Sequence, residues 1–360
     1  VIDLLLGGAA ADLPELGETL PPLEAFIENT ALEKTDSKAI FSDVTWSILD
    51  GLRLFAGVRY TKEEKEQILT SRITLADGGA PVVDSCDRLR TTLDYEATTG
   101  RAGLQVDVLE DAMLYGQFAK GFKAGGFAVS KCSSPFRPEK LDAYELGFKS
   151  TWLDGRLRAN GAGYHYDYDD LQVEEVNLPS LFVNNAQAEV DGGEVELGLL
   201  LMSDLELFGN LAYLDARYTE FVNDDNTDSL QAAFGIGGTK YDLSGNRLNR
   251  SPEWSGGGGF QYTLDLDGWG RFVLRGEATG KSKIFLREFN NATDFQKAHW
   301  IVNGFLTWMS PGGAIAIRGF VRNATDEAVL AGLVGIAGYK TAAFNPPRLM
   351  GLSMEYRFGS

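Results

Sequence analysis

The chain has 360 residues, of which 44% are hydrophobic and 11% aromatic, and this supply of apolar side chains excludes an intrinsically disordered protein. The formal net charge of −18 leaves no surplus of basic side chains to neutralise phosphates, which excludes a nucleic-acid-binding protein. Mean hydropathy is −0.14, and no run approaches the roughly 20 apolar residues that a transmembrane helix needs.

Apolar residues alternate with small or polar residues along most of the chain, as in a strand with one apolar face. This alternation predicts 13 strands, at 39–49, 52–65, 93–108, 112–122, 139–153, 155–171, 181–202, 204–218, 252–266, 269–283, 296–309, 313–327 and 347–358. Charges on the second face are costly in lipid, whereas a water-filled lumen tolerates them. The pattern therefore predicts an all-β fold, an antiparallel transmembrane β-barrel.

Short and long breaks alternate between these strands. The short breaks hold pairs such as Asp50-Gly51, Asp154-Gly155 and Asp267-Gly268, which supply the positive φ angles of tight hairpins. The long breaks are predicted at 66–92, 123–138, 172–180, 219–251, 284–295 and 328–345. Short turns on one side and long loops on the other are typical of outer-membrane barrels.

The odd strand number leaves two alternatives, because bacterial single-chain barrels have an even number of strands. In the first, the chain is part of a larger barrel: residues 1–37 are an extracellular loop region or the connection from a lost strand, and 38–358 are the C-terminal portion of the barrel. In the second, 1–37 or 66–76 hides a further strand that closes a smaller barrel. Val1–Gly8 is too short for a signal peptide and contains Asp3, so we expect the natural N-terminus to be missing.

Motifs of covalent chemistry are absent from the sequence. It contains no GxSxG, HExxH, P-loop or CxxC pattern, and His165 and His299 are too isolated for a histidine-based metal site. Cys86 and Cys132 are too few for a disulfide scaffold. We therefore predict no enzyme activity, no metal site and no cofactor.

Two segments at predicted strand ends contain candidate ligand-binding residues for an extracellular mouth. Lysines beside an aromatic ring attract an anionic metal–chelate complex, and clustered carboxylates attract a cation. The candidates are Lys120, Phe122, Lys123, Tyr166, Tyr168 and Asp169. The alternative interpretations are a strand that leaves the membrane and turns, and an aromatic band at the membrane interface beside a solvated loop.

Five segments stand out as motifs: Ala56–Glu63 (AGVRYTKE), Leu114–Phe127 (LYGQFAKGFKAGGF), Pro138–Ser150 (PEKLDAYELGFKS), Leu243–Trp254 (LSGNRLNRSPEW) and Pro347–Phe358 (PRLMGLSMEYRF). In this order they resemble motifs of the TonB-dependent outer-membrane receptors. The resemblance implies a barrel of 22 strands, of which about 13–14 are present here. It also implies a plug domain and a segment that contacts TonB, neither of which is found in this sequence.

The resemblance further implies a function: binding and active uptake of a scarce ligand across the outer membrane of a Gram-negative cell. An iron–siderophore complex is the favoured ligand, although cobalamin, haem and glycans use the same fold. The implied partners are this ligand, outer-membrane lipid, the receptor's own plug domain, TonB and the barrel-assembly machinery. A passive porin-like channel and a non-transporting barrel fragment are the alternatives, and the chain alone is expected neither to support uptake nor to bind TonB.

Strand order in the resembled barrel places both cysteines in outer loops, where an oxidising compartment favours a Cys86–Cys132 disulfide. In the same family the closing strand carries the signal for barrel insertion. Its counterparts here are Met350, Leu352, Met354, Tyr356 and Phe358. Gly359 and Ser360 follow Phe358, whereas the family usually ends on the aromatic residue.

Overall fold

The computed structural model describes residues 2–5, 24–75, 86–127, 132, 135–177, 180–225, 227, 240–336 and 339–358. Within these ranges the regular elements are all β-strands, so the prediction of an all-β fold is confirmed. The same ranges contain no helix that is both long and apolar enough to cross a membrane.

Fourteen strands form one antiparallel sheet in which each strand lies beside the next strand of the sheet along the chain. They are β1 (Ile2–Leu5), β2 (Glu24–Leu49), β3 (Leu52–Leu75), β4 (Cys86–Leu109), β5 (Ala112–Lys123), β8 (Glu139–Trp152), β9 (Leu157–Asn177), β10 (Ser180–Met202), β11 (Leu205–Glu220), β14 (Trp254–Leu266), β15 (Gly270–Lys281), β18 (His299–Met309), β19 (Ile315–Arg322) and β22 (Leu349–Tyr356). This order is the up-and-down wall of a barrel.

Four small hairpins lie in the long connections on one side of the wall. They pair β6 (Gly126–Phe127) with β7 (Pro135–Phe136), β12 (Val222–Asp224) with β13 (Lys240–Asp242), β16 (Ile284–Phe285) with β17 (Phe295–Gln296), and β20 (Leu330–Ile336) with β21 (Tyr339–Phe344). The tight turns on the other side include Gly51, Gly155 and Gly268, whose φ angles are 78°, 85° and 76°. The predicted alternation of short turns and long connections is confirmed.

All 13 predicted strands are present, but several are longer than the pattern indicated. Most of the predicted breaks at 66–92 and 172–180 is strand, and β2 already begins at Glu24, inside the predicted loop region 1–37. These extensions have polar residues on both faces. They are stabilised across the ladder by ion pairs such as Arg90–Glu66, with Nε 2.9 Å from Oε1. A two-residue hydrophobic repeat cannot reveal a strand that has no apolar face.

The region 1–37 also contains β1, which pairs with the beginning of β2 from Ile2↔Ile27 to Leu5↔Glu24. A further strand is thus present, as the second alternative predicted. Among the described residues, however, no ladder joins β22 to β1 or β2, so the extra strand does not close a smaller barrel.

The register of the ladders separates an outer from an inner face. One row of directly paired positions runs from Leu274 through Leu306 and Gly319 to Leu352, and Leu352 is 76% exposed. A second row contains Leu146, which is 70% exposed. Exposed apolar side chains in such rows form the outer face. The alternate positions carry the charged side chains and form the inner face.

One strand interrupts this pattern. β14 contains four consecutive glycines, 256–259, and therefore presents no side chain on either face over that stretch. A Cβ added at Gly259 would meet the Phe208 ring at 2.7 Å and the carbonyl oxygen of Gly276 even closer. The glycines let neighbouring strands and an inner-face ring approach the β14 backbone.

Candidate functional site

The inner face of the wall presents tyrosines and carboxylates rather than apolar side chains. The rings of Tyr164 and Tyr166 stack with centroids 4.8 Å apart. Tyr115 Oη donates a hydrogen bond of 2.7 Å to Glu145 Oε1, and the Lys149 ammonium lies 5.8 Å from the centroid of the Tyr115 ring. Such a surface suits polar contents of the lumen.

The motif at 56–63 owes its glycine to an inner-face ion pair that spans three strands. Arg101 on β4 reaches across Gly57 on β3 to Asp43 on β2, with Nη2 3.0 Å from Oδ2. A Cβ at Gly57 would collide with that carboxylate. This glycine therefore has a structural explanation.

A small apolar core closes around the tops of β9, β10 and β11. Tyr218 is 1% exposed and its ring centroid lies 4.8 Å from that of Phe221. The buried members of this core are Val173, Ala186, Ala188, Tyr218, Phe221, Leu243 and Phe289. Because Leu243 and Phe289 come from two different connections, the core fixes both connections to the wall and gives the mouth a defined shape.

A buried ion cluster ties the same connections together. Arg287 places Nη2 2.7 Å from Asp225 Oδ1 and Nη1 3.2 Å from Asp294 Oδ2. Asp294 is fully buried and also accepts from Lys340 Nζ, which lies on β21. Thr227 Oγ1 donates to Asp225 at 2.7 Å. Burial alone disfavours the charge on Asp225, but the hydrogen bonds from Arg287 and Thr227 outweigh it and lower the pKa of that carboxyl.

Glu288 follows Arg287 and is 7% exposed. Its Oε1 accepts a hydrogen bond of 3.3 Å from Asn223 Nδ2. Burial raises the pKa of Glu288 above the usual 4.5, and the nearby Arg287 opposes this only in part. The mouth thus contains a carboxyl that is easier to protonate than an exposed one.

A cavity of about 440 Å³ lies beside this cluster. Its wall combines apolar and charged side chains from five parts of the chain. The principal lining residues are Leu171, Glu174, Tyr218, Leu248, Arg250, Arg287, Glu288 and Val334. Arg250 has φ of 61° and donates from Nη1 to the carbonyl oxygen of Ala331 at 3.1 Å. A polar ligand would therefore meet two guanidinium groups and two carboxyls within one enclosure.

The structure divides the predicted ligand-binding residues between the two faces. Lys123, Tyr166 and Tyr168 alternate to the inner face. Lys120, Phe122 and Asp169 alternate to the outer face. The six residues therefore do not form one patch, because neighbouring residues of a strand point to opposite sides. The aromatic-band interpretation of the tyrosines is also wrong, since Tyr164 and Tyr166 face inward.

Lys120 itself has an ordinary surface partner. Its Nζ lies 3.1 Å from Asp142 Oδ2 and 5.8 Å from the centroid of the Phe118 ring. The neighbouring outer-face ring of Tyr144 lies 4.9 Å from Phe118. This arrangement is that of a cation above an aromatic band.

The glycines of the motif at 114–127 serve packing. A Cβ at Gly125 would collide with Tyr95 Oη, and one at Gly126 would meet the Phe136 ring at 2.7 Å. The hairpin β6–β7 is held further by Gln172 Nε2, which donates to the carbonyl oxygen of Ala124 at 3.0 Å. This segment folds against the mouth, and its glycines permit that close approach.

The two cysteines form a disulfide with Cα atoms 5.9 Å apart. It links the start of β4 to the connection that contains β6 and β7. A covalent link between two connections adds to the apolar core and the ion cluster in restraining the mouth.

The alternating apolar residues of the last strand lie on the outer face. Met350, Leu352 and Met354 are each at least 66% exposed, and the rings of Tyr356 and Phe358 meet edge-on at 4.6 Å. The role of these residues as an insertion signal stays a prediction.

Sequence patterns did not point to Arg287, Asp294 or Lys340, although these residues organise the mouth. Their pairing depends on three separate connections meeting in space, which no local motif records. The acidic run 224–228 was noticed as ambiguous, and Asp225 within it is the partner of Arg287. In the described part of the chain, no group of three or more histidine, cysteine or acidic side chains could hold a metal ion.

Comparison with known proteins places this architecture. Residues 11–324 match the family model described as "TonB dependent receptor-like, beta-barrel". The metal-pseudopaline receptor CntO of Pseudomonas aeruginosa is 25% identical over 213 residues, a match that covers 58% of this chain and 28% of the receptor. The ferric-pyoverdine 358 receptor of Pseudomonas putida is 26% identical over 265 residues, covering 72% of this chain and 29% of the receptor.

Solved structures show the same fold. The ferric yersiniabactin uptake receptor FyuA from Yersinia pestis superimposes with a TM-score of 0.74 at 18% identity, covering 92% of this chain and 48% of that one. The siderophore receptor PiuA from Acinetobacter baumannii gives 0.65 at 16% identity, with 92% and 43% coverage. The chain thus spans less than half the length of these receptors. Because the family model covers well over half of it, the chain belongs to the TonB-dependent receptor β-barrel family.

Proposed function

We propose that this chain forms the wall and mouth of a receptor in the outer membrane of a Gram-negative cell that takes up a scarce ligand in an energy-dependent way, with a ferric siderophore as that ligand. Support comes from the relatives, which are named as receptors for metal–pseudopaline and ferric pyoverdine. The structural neighbours include receptors named for ferric yersiniabactin and siderophores. The chain's own task is binding and passage, without covalent chemistry.

The observation that carries this proposal is the enclosed cavity at the mouth. A channel for passive diffusion needs an open path, whereas this mouth has an apolar core, a buried ion cluster and a cavity of about 440 Å³. The guanidinium groups of Arg250 and Arg287 at its wall suit the oxygen atoms of an anionic metal chelate.

The proposal includes partners. A plug domain would occupy the polar lumen and TonB would supply energy through a segment outside this chain. The barrel-assembly machinery would insert the wall into the outer membrane by way of the last strand. Membrane lipid would cover the apolar outer face.

Uptake by cells that produce the receptor tests the function. We expect radioactive iron to enter from at least one member of a ferric siderophore panel, and only when TonB is present. Arg250→Glu should raise the half-saturating concentration at least about tenfold, because a carboxylate would then face an anionic ligand. Arg90→Glu, on the outer surface far from the cavity, is the matched control. TonB-independent entry, or open-channel conductance in planar bilayers, would contradict the proposal.

Sidedness has a separate test. We expect an impermeant thiol reagent to label Ser244→Cys on intact cells and to leave Gly155→Cys unlabelled until the outer membrane is permeabilised. Both sites are exposed or in a tight turn, so the reagent's access depends on the side of the membrane. The reverse labelling would overturn the proposed topology.

A further inference from the structure

The hairpin β20–β21 forms one side of the mouth cavity. Leu333, Val334 and Gly335 of β20 line the cavity opposite the end of β9, which contributes Leu171 to Glu174. The apolar side chains of this hairpin make little core of their own, since Val334 is 41% and Phe344 62% exposed. A segment with few buried apolar contacts opens at a low free-energy cost.

The base of the hairpin is held firmly. Asn323 is 7% exposed, accepts from the Glu327 backbone N–H at 2.9 Å and donates to the carbonyl oxygen of the same residue at 2.9 Å. The Asn345 N–H donates to the carbonyl oxygen of Val329 at 2.9 Å, and Val329 is 5% exposed. Motion of the hairpin would therefore begin above these residues.

A bulge supplies a bending point just above the base. The register of β20 against β21 shifts between Leu330 and Gly332, which leaves Ala331 without a direct partner. The carbonyl oxygen of Ala331 accepts from Arg250 instead. Bulges bend a strand locally, and the adjacent Gly332 removes one side chain from the bend.

Near its tip the hairpin is held by Lys340. The Lys340 ammonium contacts the buried Asp294 carboxylate and donates to Thr293 Oγ1 at 2.9 Å. The side chain of Lys340 is 28% exposed, so its charge returns to water easily. When Lys340 leaves, Asp294 keeps Arg287 and Thr293 as partners. Release therefore strands no unpaired buried charge, which is the usual large cost of breaking a buried ion pair.

We propose that β20–β21 is a lid over the mouth cavity, hinged at the Ala331–Gly332 bulge and held shut by Lys340 on Asp294. This inference rests on the proposed function, because it assigns the regulation of access to the same cavity. The lid closes over a bound ligand and slows its escape to the outside. Lys340 is a positioning residue that acts through the hairpin.

Hydrogen exchange measures the latch without any ligand. In the purified receptor, Lys340→Met should raise the exchange rate of the amides at 330–344 at least about tenfold, while amides of the β14–β15 and β18–β19 ladders keep their protection. Arg348→Met is the matched control, because Arg348 lies on the same side of the chain but its pair with Asp326 is about half exposed, with side-chain values of 46% and 50%. Unchanged exchange at 330–344 in Lys340→Met would overturn the latch.

Ligand release tests the lid. A receptor loaded with the ferric siderophore found by the uptake panel should lose it several-fold faster in Lys340→Met than in the wild type or in Arg348→Met. Faster exchange with unchanged release would overturn the lid while leaving the uptake function intact. If no siderophore is taken up by the wild type, the proposed function fails, and the exchange result still decides whether Lys340 holds the hairpin.

Discussion

The wall and the mouth of this molecule are stabilised by opposite means. Along the wall, continuous ladders pair the backbone, apolar side chains cover the outer face, and charges such as Arg275 and Glu277 pair on the inner face while partly exposed. In the mouth, the backbone pairs only in short hairpins, and a small core and the buried cluster around Arg287 carry the structure. The wall tolerates the loss of single side chains, whereas the mouth depends on a few.

The largest difference should follow from Arg287→Ala. This change leaves Asp225 buried without its main counter-charge and Asp294 with only Lys340, and we expect the mouth to lose about 3–5 kcal/mol of local stability. Protection of amides at 243–250 and 286–294 in hydrogen exchange should fall, with the wall unaffected. Arg271→Ala, which removes a well-exposed pair with Asp265 on the wall, is the control and should change little. Equal loss in both variants would remove the contrast between the two regions.

The wall has its own sensitive positions, on the outer face. Leu274 lies in an apolar row and is 44% exposed, so Leu274→Arg should destabilise the folded wall by roughly 2–4 kcal/mol if it lies near the membrane midplane. Thr279→Arg occupies the inner face of the same strand and should cost much less. Reversible unfolding in lipid measures both, and equal costs would mean that the faces are assigned wrongly.

The disulfide should matter to the mouth alone. Cys86→Ser with Cys132→Ser removes a link that closes a sequence separation of 46 residues, which stabilises by about 2–4 kcal/mol in the chain-entropy account. We expect protease cleavage within the connection 123–138 to become faster, with the wall still resisting heat in detergent. Free thiols detected in the oxidised wild-type protein would show that the link does not form.

The smallest effect concerns pH. The pKa of Glu288 is raised in the folded mouth, so its contribution favours the fold below the unfolded value of 4.5 and is lost as pH rises through the folded pKa. The lowered pKa of Asp225 acts oppositely: its contribution is present above 3.8 and is lost as pH falls below it. Glu288→Gln should flatten the decline above pH 4.5 in exchange measurements on the mouth. An unchanged pH profile would contradict the assignment to Glu288.

Sequence alone gave access to the wall but not to the mouth, for a physical reason. Lipid on one side and water on the other impose a two-residue repeat, and this repeat located all 13 predicted strands. Beyond the membrane both faces meet water, so the strand ends at Leu75 and Cys86 were taken for loop. The face of Tyr166 was also misjudged, because aromatic and acidic residues alternate there and either set fits an interface.

The candidate site was less accessible still. Arg287, Asp294 and Lys340 each stand in an unremarkable local context, and their meaning arises only when three connections converge. Lys120 and Phe122 attracted notice because their motif is glycine-rich, yet the glycines Gly125 and Gly126 serve packing against Tyr95 and Phe136. A motif marks where the chain is constrained, and the structure is needed to say whether a ligand or a neighbouring ring imposes the constraint.

The glycine run of β14 has a consequence for how this strand finds its place. Over 256–259 no side chain distinguishes one register from a register shifted by two residues, because the backbone bonds would be the same. The alignment must be fixed at the ends: by Trp254, whose ring lies 4.9 Å from that of Tyr213, and by the turn at Gly268 that leads into β15. β14 is thus positioned like a plain rod between two clamps, and its fidelity during assembly depends on residues that lie outside the glycines.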